Sequence, residues 1–265
     1  MDWAEWMNLL VRWAHVFAGI LWIGQTYFFT WLDGRFNGPG ASADGRVWMV
    51  HSGGFYAVEK LKSPEALPSV LHWFRWEAAF TWLTGVLLLG IVYYGGGLMV
   101  DARGATIPLA TSLGLGLGLL ALAWLVYDSL WQSRLARADG AAIGVCYVLL
   151  VGLVYALTRW LAGRTAFILV GAVLGTLMAA NVWMRILPAQ RAMIAATRTG
   201  GTPDLALGER AKQRSKHNTY MVVPLVFIML SNHYPTASYG RSDSWLVLAG
   251  LVLAGWAAAW VLRRH

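Results

Sequence analysis

Charge is what this sequence has least of. Asp, Glu, Lys and Arg make up 13% of its 265 residues and hydrophobic residues 58%, whereas about a quarter of an ordinary soluble domain is charged. A soluble chain of this size could not hide so much apolar surface, so an ordinary soluble enzyme is excluded. Cysteine is scarcer still. Its one cysteine, Cys146, lies inside an apolar run, which excludes a disulfide within the chain and a Cys-x-x-Cys-His site for covalent haem c. No nucleotide-binding glycine loop, solenoid-type repeat or soluble second domain is evident, and a single domain over 1–265 is expected. The N-terminus, Met1-Asp2-Trp3-Ala4-Glu5, is acidic rather than basic. The first apolar segment is therefore expected to stay in the mature protein rather than leave as a signal peptide.

What is present is length without charge. Seven stretches lack Asp, Glu, Lys and Arg: 13–32, 78–100, 104–127, 140–158, 165–184, 217–240 and 244–262, each of 19 to 24 residues. About 20 residues cross the hydrocarbon core as a helix, and a spanning segment must satisfy its backbone hydrogen bonds internally. The ten-residue alternation of a barrel is missing. The fold class expected is all-α, a polytopic transmembrane bundle of about seven spans. Sixteen tryptophans and ten tyrosines agree, since amphipathic rings favour the membrane–water interface.

The connections 33–77, 128–139 and 185–216 with the tail from 263 hold 16 of the 21 Lys and Arg, leaving five on the other side. The positive-inside rule then puts the N-terminus outside and the C-terminus in the cytoplasm. The net charge of +8 reflects those basic loops, and no nucleic-acid partner is expected. Residues 33–77 open on Asn37-Gly38-Pro39-Gly40, and part of this connection is expected to lie on the membrane surface as an amphipathic helix. Residues 185–216 read as a second long connection, ending in the basic run Arg210, Lys212, Arg214, Lys216. Glycine pairs at four-residue spacing, Gly114 with Gly118 and Gly171 with Gly175, predict close helix packing.

Ionisable groups at membrane depth are costly and so point to function. His15, near the outer end of span one, and His233, toward the outer end of span six, share a depth on the outer half of the bundle. Such a pair suggests bis-imidazole ligation of a b-type haem; a hydrogen bond to a neighbouring helix explains either histidine taken alone. The inner set is richer: His51, His72 and His217, with Arg75, Glu77, Asn181, Asn218, Arg185, Gln25 and Asp33. Gathered at the cytoplasmic end, these groups suit a polar, hydrogen-bonding small molecule whose protons must move. Helix ends wetted by water are the plainer reading of the same spacing.

Several segments together resemble the bacterial membrane-bound, cytochrome c-linked urate oxidases. They are His217-Asn218-Thr219-Tyr220 with Pro224, Ser231-Asn232-His233-Tyr234-Pro235, Trp13-Ala14-His15 with Gly19 and Trp22-Ile23-Gly24, Gly53-Gly54-Phe55-Tyr56 with Glu59-Lys60, and Trp73-Phe74-Arg75-Trp76-Glu77-Ala78 with Trp82. The similarity runs through roughly residues 3–240; span one alone is also similar to haem-binding membrane proteins of the protoporphyrinogen-oxidase type. The resemblance implies oxidation of urate to 5-hydroxyisourate without hydrogen peroxide, with electrons passed to cytochrome c, at a bacterial inner membrane. Members of that family carry an eighth helix and a C-terminal cytochrome c domain. This sequence ends at Arg263-Arg264-His265 with no haem c motif, so a separate or missing cytochrome c is expected as acceptor.

The expected site follows. One of His72, Glu77 or His217 removes a proton from urate; Arg75, Asn181 and Asn218 hold the anionic purine; His15 and His233 bind the iron of haem b. A haem-bearing redox subunit for a quinol or porphyrinogen, or a non-catalytic transport or assembly protein, remains the alternative.

Overall fold

The computed structural model describes residues 2–37 and 45–264; the Gly38-Pro39-Gly40 opening and His265 lie outside them. The described chain is built almost wholly of helices: α1 (Trp3–Asn37), α2 (Trp76–Leu88), α3 (Leu109–Gln132), α4 (Asp139–Trp160), α5 (Gly163–Ala180), α6 (Leu187–Arg198), α7 (Leu205–Ser231) and α8 (Ser244–Arg264). A π-helical turn, Leu89–Tyr94, prolongs α2, and another, Asn181–Ile186, joins α5 to α6 without a break. Pro188 lies just inside α6. Lacking an N–H, it cannot bond the carbonyl of Met184, and the wider turn falls there.

Six of the helical rods are long and apolar enough to cross a membrane. The expected helical bundle is therefore present, with six such rods among the described residues where about seven spans were expected; α7 is the helix that falls short. The helix α7 carries Arg210, Lys212, Arg214 and Lys216 in its first half, so its apolar part is 217–231 and ends well short of residue 240. The rod Gly163–Arg198 is the centre of the bundle: its apolar window is 72% buried, against 11–28% for the other five. Large apolar side chains elsewhere, such as Phe17, Leu117 and Val148, face outward, as lipid-facing side chains do.

Three connections differ from expectation. Residues 185–216 are not a loop but the end of one rod and the start of the next. Gly200 takes φ +76 just past α6, a left-handed conformation that ends a helix cheaply. The Asp204 side chain then accepts from the N–H of Ala206 at 2.8 Å and caps α7. In 33–77 the expected surface helix is replaced by an antiparallel hairpin, β1 (Arg46–His51) with β2 (Gly54–Glu59). Its turn, Ser52-Gly53, has φ +49 and +75, the two positive values a two-residue hairpin turn requires. Alternating Val47, Met49 and Trp48, Val50 suits a strand period rather than a helical one. Finally, residues 232–243 form turns between α7 and α8 rather than more of a span.

Glycine spacing gave one seam of the two expected. A Cβ on Gly171 would stand 2.9 Å from Ile228 Cγ2 and 3.1 Å from Met229 Cε, so α5 and α7 touch there; Gly114 and Gly118 face open space. Likewise a Cβ on Gly255 would meet Pro224 Cδ at 2.8 Å, seating α8 on the proline of α7. Substituting Gly171→Val is expected to destabilise the bundle by about 1–3 kcal/mol through overpacking, while Gly118→Val is expected to be neutral. Thermal unfolding of the two variants in detergent checks the contrast.

Candidate functional site

Most of the polar side chains meet at the end of the bundle that carries the basic segments. Three helices build the deepest cluster. From α3 comes Asp128, 6% exposed, whose oxygens accept from Arg185 Nε at 2.8 Å, Arg214 Nη2 at 2.9 Å and Gln132 Nε2 at 2.7 Å. A second bond from Arg185 makes that pair bidentate. The carboxylate is thus fully used, and two guanidiniums share one negative charge.

Asn181, fully buried on the π-turn after α5, donates through its amide nitrogen to Tyr127 Oη and to Asn218 Oδ1, both at 2.9 Å. Asn218 in turn donates to the carbonyl of Met178 at 3.0 Å. Tyr127 Oη is 2.7 Å from His217 Nδ1, and the His217 ring lies against Trp131 with centroids 4.1 Å apart. Asn181 and Asn218 therefore hold Tyr127 and the neighbouring helices in place; their amides are spent on protein partners.

A second cluster sits on the seam of α1 and α2. Gln25 Nε2 donates to Glu77 Oε1 at 3.1 Å. The Arg75 guanidinium lies over Trp73 and Trp76 at 5.3 and 5.5 Å from their ring centroids, and Trp76 meets Trp183 at 5.8 Å. Two atoms here are buried with no hydrogen-bond partner, Glu77 Oε2 and Arg75 Nε. A buried carboxylate oxygen and a guanidinium N–H without partners are costly, and a ligand with complementary groups would satisfy them. His72 is exposed, in the irregular segment before α2; His51 ends β1 and is exposed too. Nearby, Asp33 at the end of α1 pairs with Lys60 after the hairpin and with Lys212 of α7 at 3.0 Å, tying the three segments together.

The opposite end holds the other two histidines. His15 Nδ1 is 2.9 Å from the carbonyl of Thr81 and 3.1 Å from Thr84 Oγ1. A carbonyl only accepts, so Nδ1 carries the proton and Nε2 keeps its lone pair. Gly85 faces the ring: a Cβ there would be 3.1 Å from His15 Cε1. His233 stands outside the helix, exposed in the turn after α7. Its neighbour Asn232 fixes that turn, accepting from Tyr93 Oη and Arg164 Nε, each at 3.2 Å. The helices α1 and α7 meet where Tyr27 Oη donates to the carbonyl of Thr219. His15 lies 12 residues before Tyr27 and Ser231 12 residues after Thr219, about 18 Å along each helix. His15 and the turn that bears His233 therefore lie on the same side of that contact. A haem ligand needs its free nitrogen exposed to the iron and its other nitrogen hydrogen-bonded, and the fixed tautomer of His15 fits that requirement.

Sequence reasoning missed Asp128 and Tyr127; it set Arg185 among the polar groups of the inner end and left Arg214 in the basic run that closes a connection. The signal available was Asp128 itself, an acid directly after a 24-residue charge-free stretch in a chain poor in acids.

Against protein-family models, residues 2–265 match the one described as Urate oxidase N-terminal. No curated protein and no solved structure matches the chain.

Proposed function

We propose, for a chain that belongs to the urate oxidase N-terminal family, that it oxidises urate to 5-hydroxyisourate within a bacterial inner membrane and passes the electrons to a cytochrome c. The observation that carries this reading is the pair of buried atoms left without protein partners, Glu77 Oε2 and Arg75 Nε, in a member of that family. Urate is a flat anion edged with N–H donors and carbonyl acceptors. A carboxylate oxygen and a guanidinium N–H are what such an edge satisfies, and the tryptophans around Arg75 supply flat walls.

In this reading Glu77 takes a ring proton, held for it by Gln25 at the other oxygen. Arg75 binds the anion. His217, backed by Tyr127, relays protons toward the basic end, and exposed His72 stands at the approach. Asn181 and Asn218 are positioning residues. Urate and one water give 5-hydroxyisourate, two protons and two electrons. The basic end faces the cytoplasm, by the excess of Lys and Arg there. Haem b, held by His15 and His233, would supply one-electron transfer toward the outer face.

Membranes containing the protein should consume urate only with oxidised cytochrome c present, reducing two cytochromes per urate. Accumulation of hydrogen peroxide in step with urate loss would sink the reading. For the haem, His15→Ala is expected to lose the pigment. Gly85→Val, which crowds the imidazole without removing it, is expected to lower the ratio of Soret to protein absorbance. Full pigment in both variants would remove His15 from the ligands.

A further inference from the structure

Between α3, α4, α5, α7 and α8 lies a cavity of about 430 Å³ that shares only His217 and Tyr127 with the urate reading. Its walls are aliphatic, with Leu119, Leu122, Leu150 and Leu174 among them. A planar anion has no partners on such walls, so the ligand they suit is largely apolar. Leu122, Val126, Ile143 and Leu149, all lining it, are exposed at the outside of the bundle, so the cavity is reached from the side, where lipid would be.

Trp131, Tyr127 and His217 line it together, the Tyr127 hydroxyl 2.7 Å from the His217 ring. Trp131 is 7% exposed, and its indole nitrogen has no hydrogen-bond partner; the sulfur of Cys146, a weak acceptor, is the polar atom beside it. An N–H buried in this way calls for a ligand that accepts. The charged groups of the rim are one carboxylate, Asp139, held by Gln213 at 3.4 Å, and one ammonium, Lys216. They leave no excess charge at the rim to select a phosphate. The Arg214 guanidinium behind the Tyr127 ring is committed to Asp128.

An aromatic, carbonyl-bearing neutral head on an apolar tail meets all of these conditions. We propose that this cavity binds an isoprenoid quinone, its head against Trp131 and His217 and its tail among the leucines between α3 and α4. The proposal goes beyond oxidation of urate and does not depend on it.

The test is equilibrium dialysis of decylubiquinone against the 265-residue chain purified in detergent. Saturable binding of one quinone per chain is expected, weakened about fivefold by Trp131→Phe, which keeps the ring and removes one hydrogen bond. Leu150→Trp, which fills the cavity, is expected to abolish it, with an unchanged size-exclusion profile as the check on folding. Excess dioleoylphosphatidylglycerol should not displace the quinone. Absence of a saturable component, unchanged affinity in Trp131→Phe, or equal displacement by the phospholipid each overturns the proposal; the last would make the cavity a lipid slot. Urate is not read in this experiment, so its outcome is separate from that of the urate reading.

Discussion

Replacing Glu77 by Gln is expected to cut the turnover of urate by a factor on the order of 10² to 10⁴, the range for losing a general base. Gln keeps the size of the side chain and can still accept from Gln25, so the bundle should purify and unfold as the parent does. The loss should appear in kcat, because the proton is taken only as the ring is oxidised. Arg75→Lys should behave differently. Lysine keeps the charge but not the planar fork, so the expected effect is mainly a rise in KM. A Glu77→Gln enzyme with normal turnover would move the base to His217 or His72, and His217→Ala would then be the variant to measure.

Substituting Asp128 by Leu is expected to destabilise the protein by about 3–5 kcal/mol, the usual cost of stranding a buried charge. The charge stranded is Arg214, whose side chain is only 6% exposed. Arg185, at 38%, can turn toward water and should matter less. Adding Arg214→Met to Asp128→Leu should therefore recover much of the lost stability, whereas adding Arg185→Met should recover little. The apparent midpoint of thermal unfolding in detergent distinguishes them. An Asp128→Leu protein as stable as the parent would mean that the three-way ion pair is not part of the bundle's support.

The helical spans were legible because lipid leaves a chain few options: charge-free runs of about 20 residues are rods. What the runs do not encode is what happens beyond the hydrocarbon. Residues 185–216 looked like a loop because they are charged, yet a charged segment outside the bilayer is free to stay helical. The punctuation that divides it, Gly200-Gly201-Thr202-Pro203-Asp204, is a helix stop followed by a helix start. The hairpin at 46–59 was obscured for a similar reason. Aromatic residues near a membrane suit a surface helix as well as a strand, and Ser52-Gly53 decides only through its turn geometry.

At the candidate site, Glu77, Arg75, His217, Asn181 and Asn218 stood out as polar groups at span ends, and the structure gathers them near one end of the bundle. It also divides them. Asn181 and Asn218 are consumed by the network around Tyr127 and Asp128, while Glu77 and Arg75 keep unpartnered atoms. Spacing alone does not reveal this division, because it depends on which rotamers the packed helices leave open. Nor does the charge pattern reveal Asp128 as the hub for Arg185 and Arg214, which come from distant segments.

The most direct test of the central claim is a visible absorption spectrum of the purified protein, recorded before and after urate and then after dithionite. A haem-bearing urate oxidoreductase should show a Soret band, with the reduced α-band appearing on addition of urate. A spectrum with no Soret band, or one that responds to dithionite alone, would contradict it.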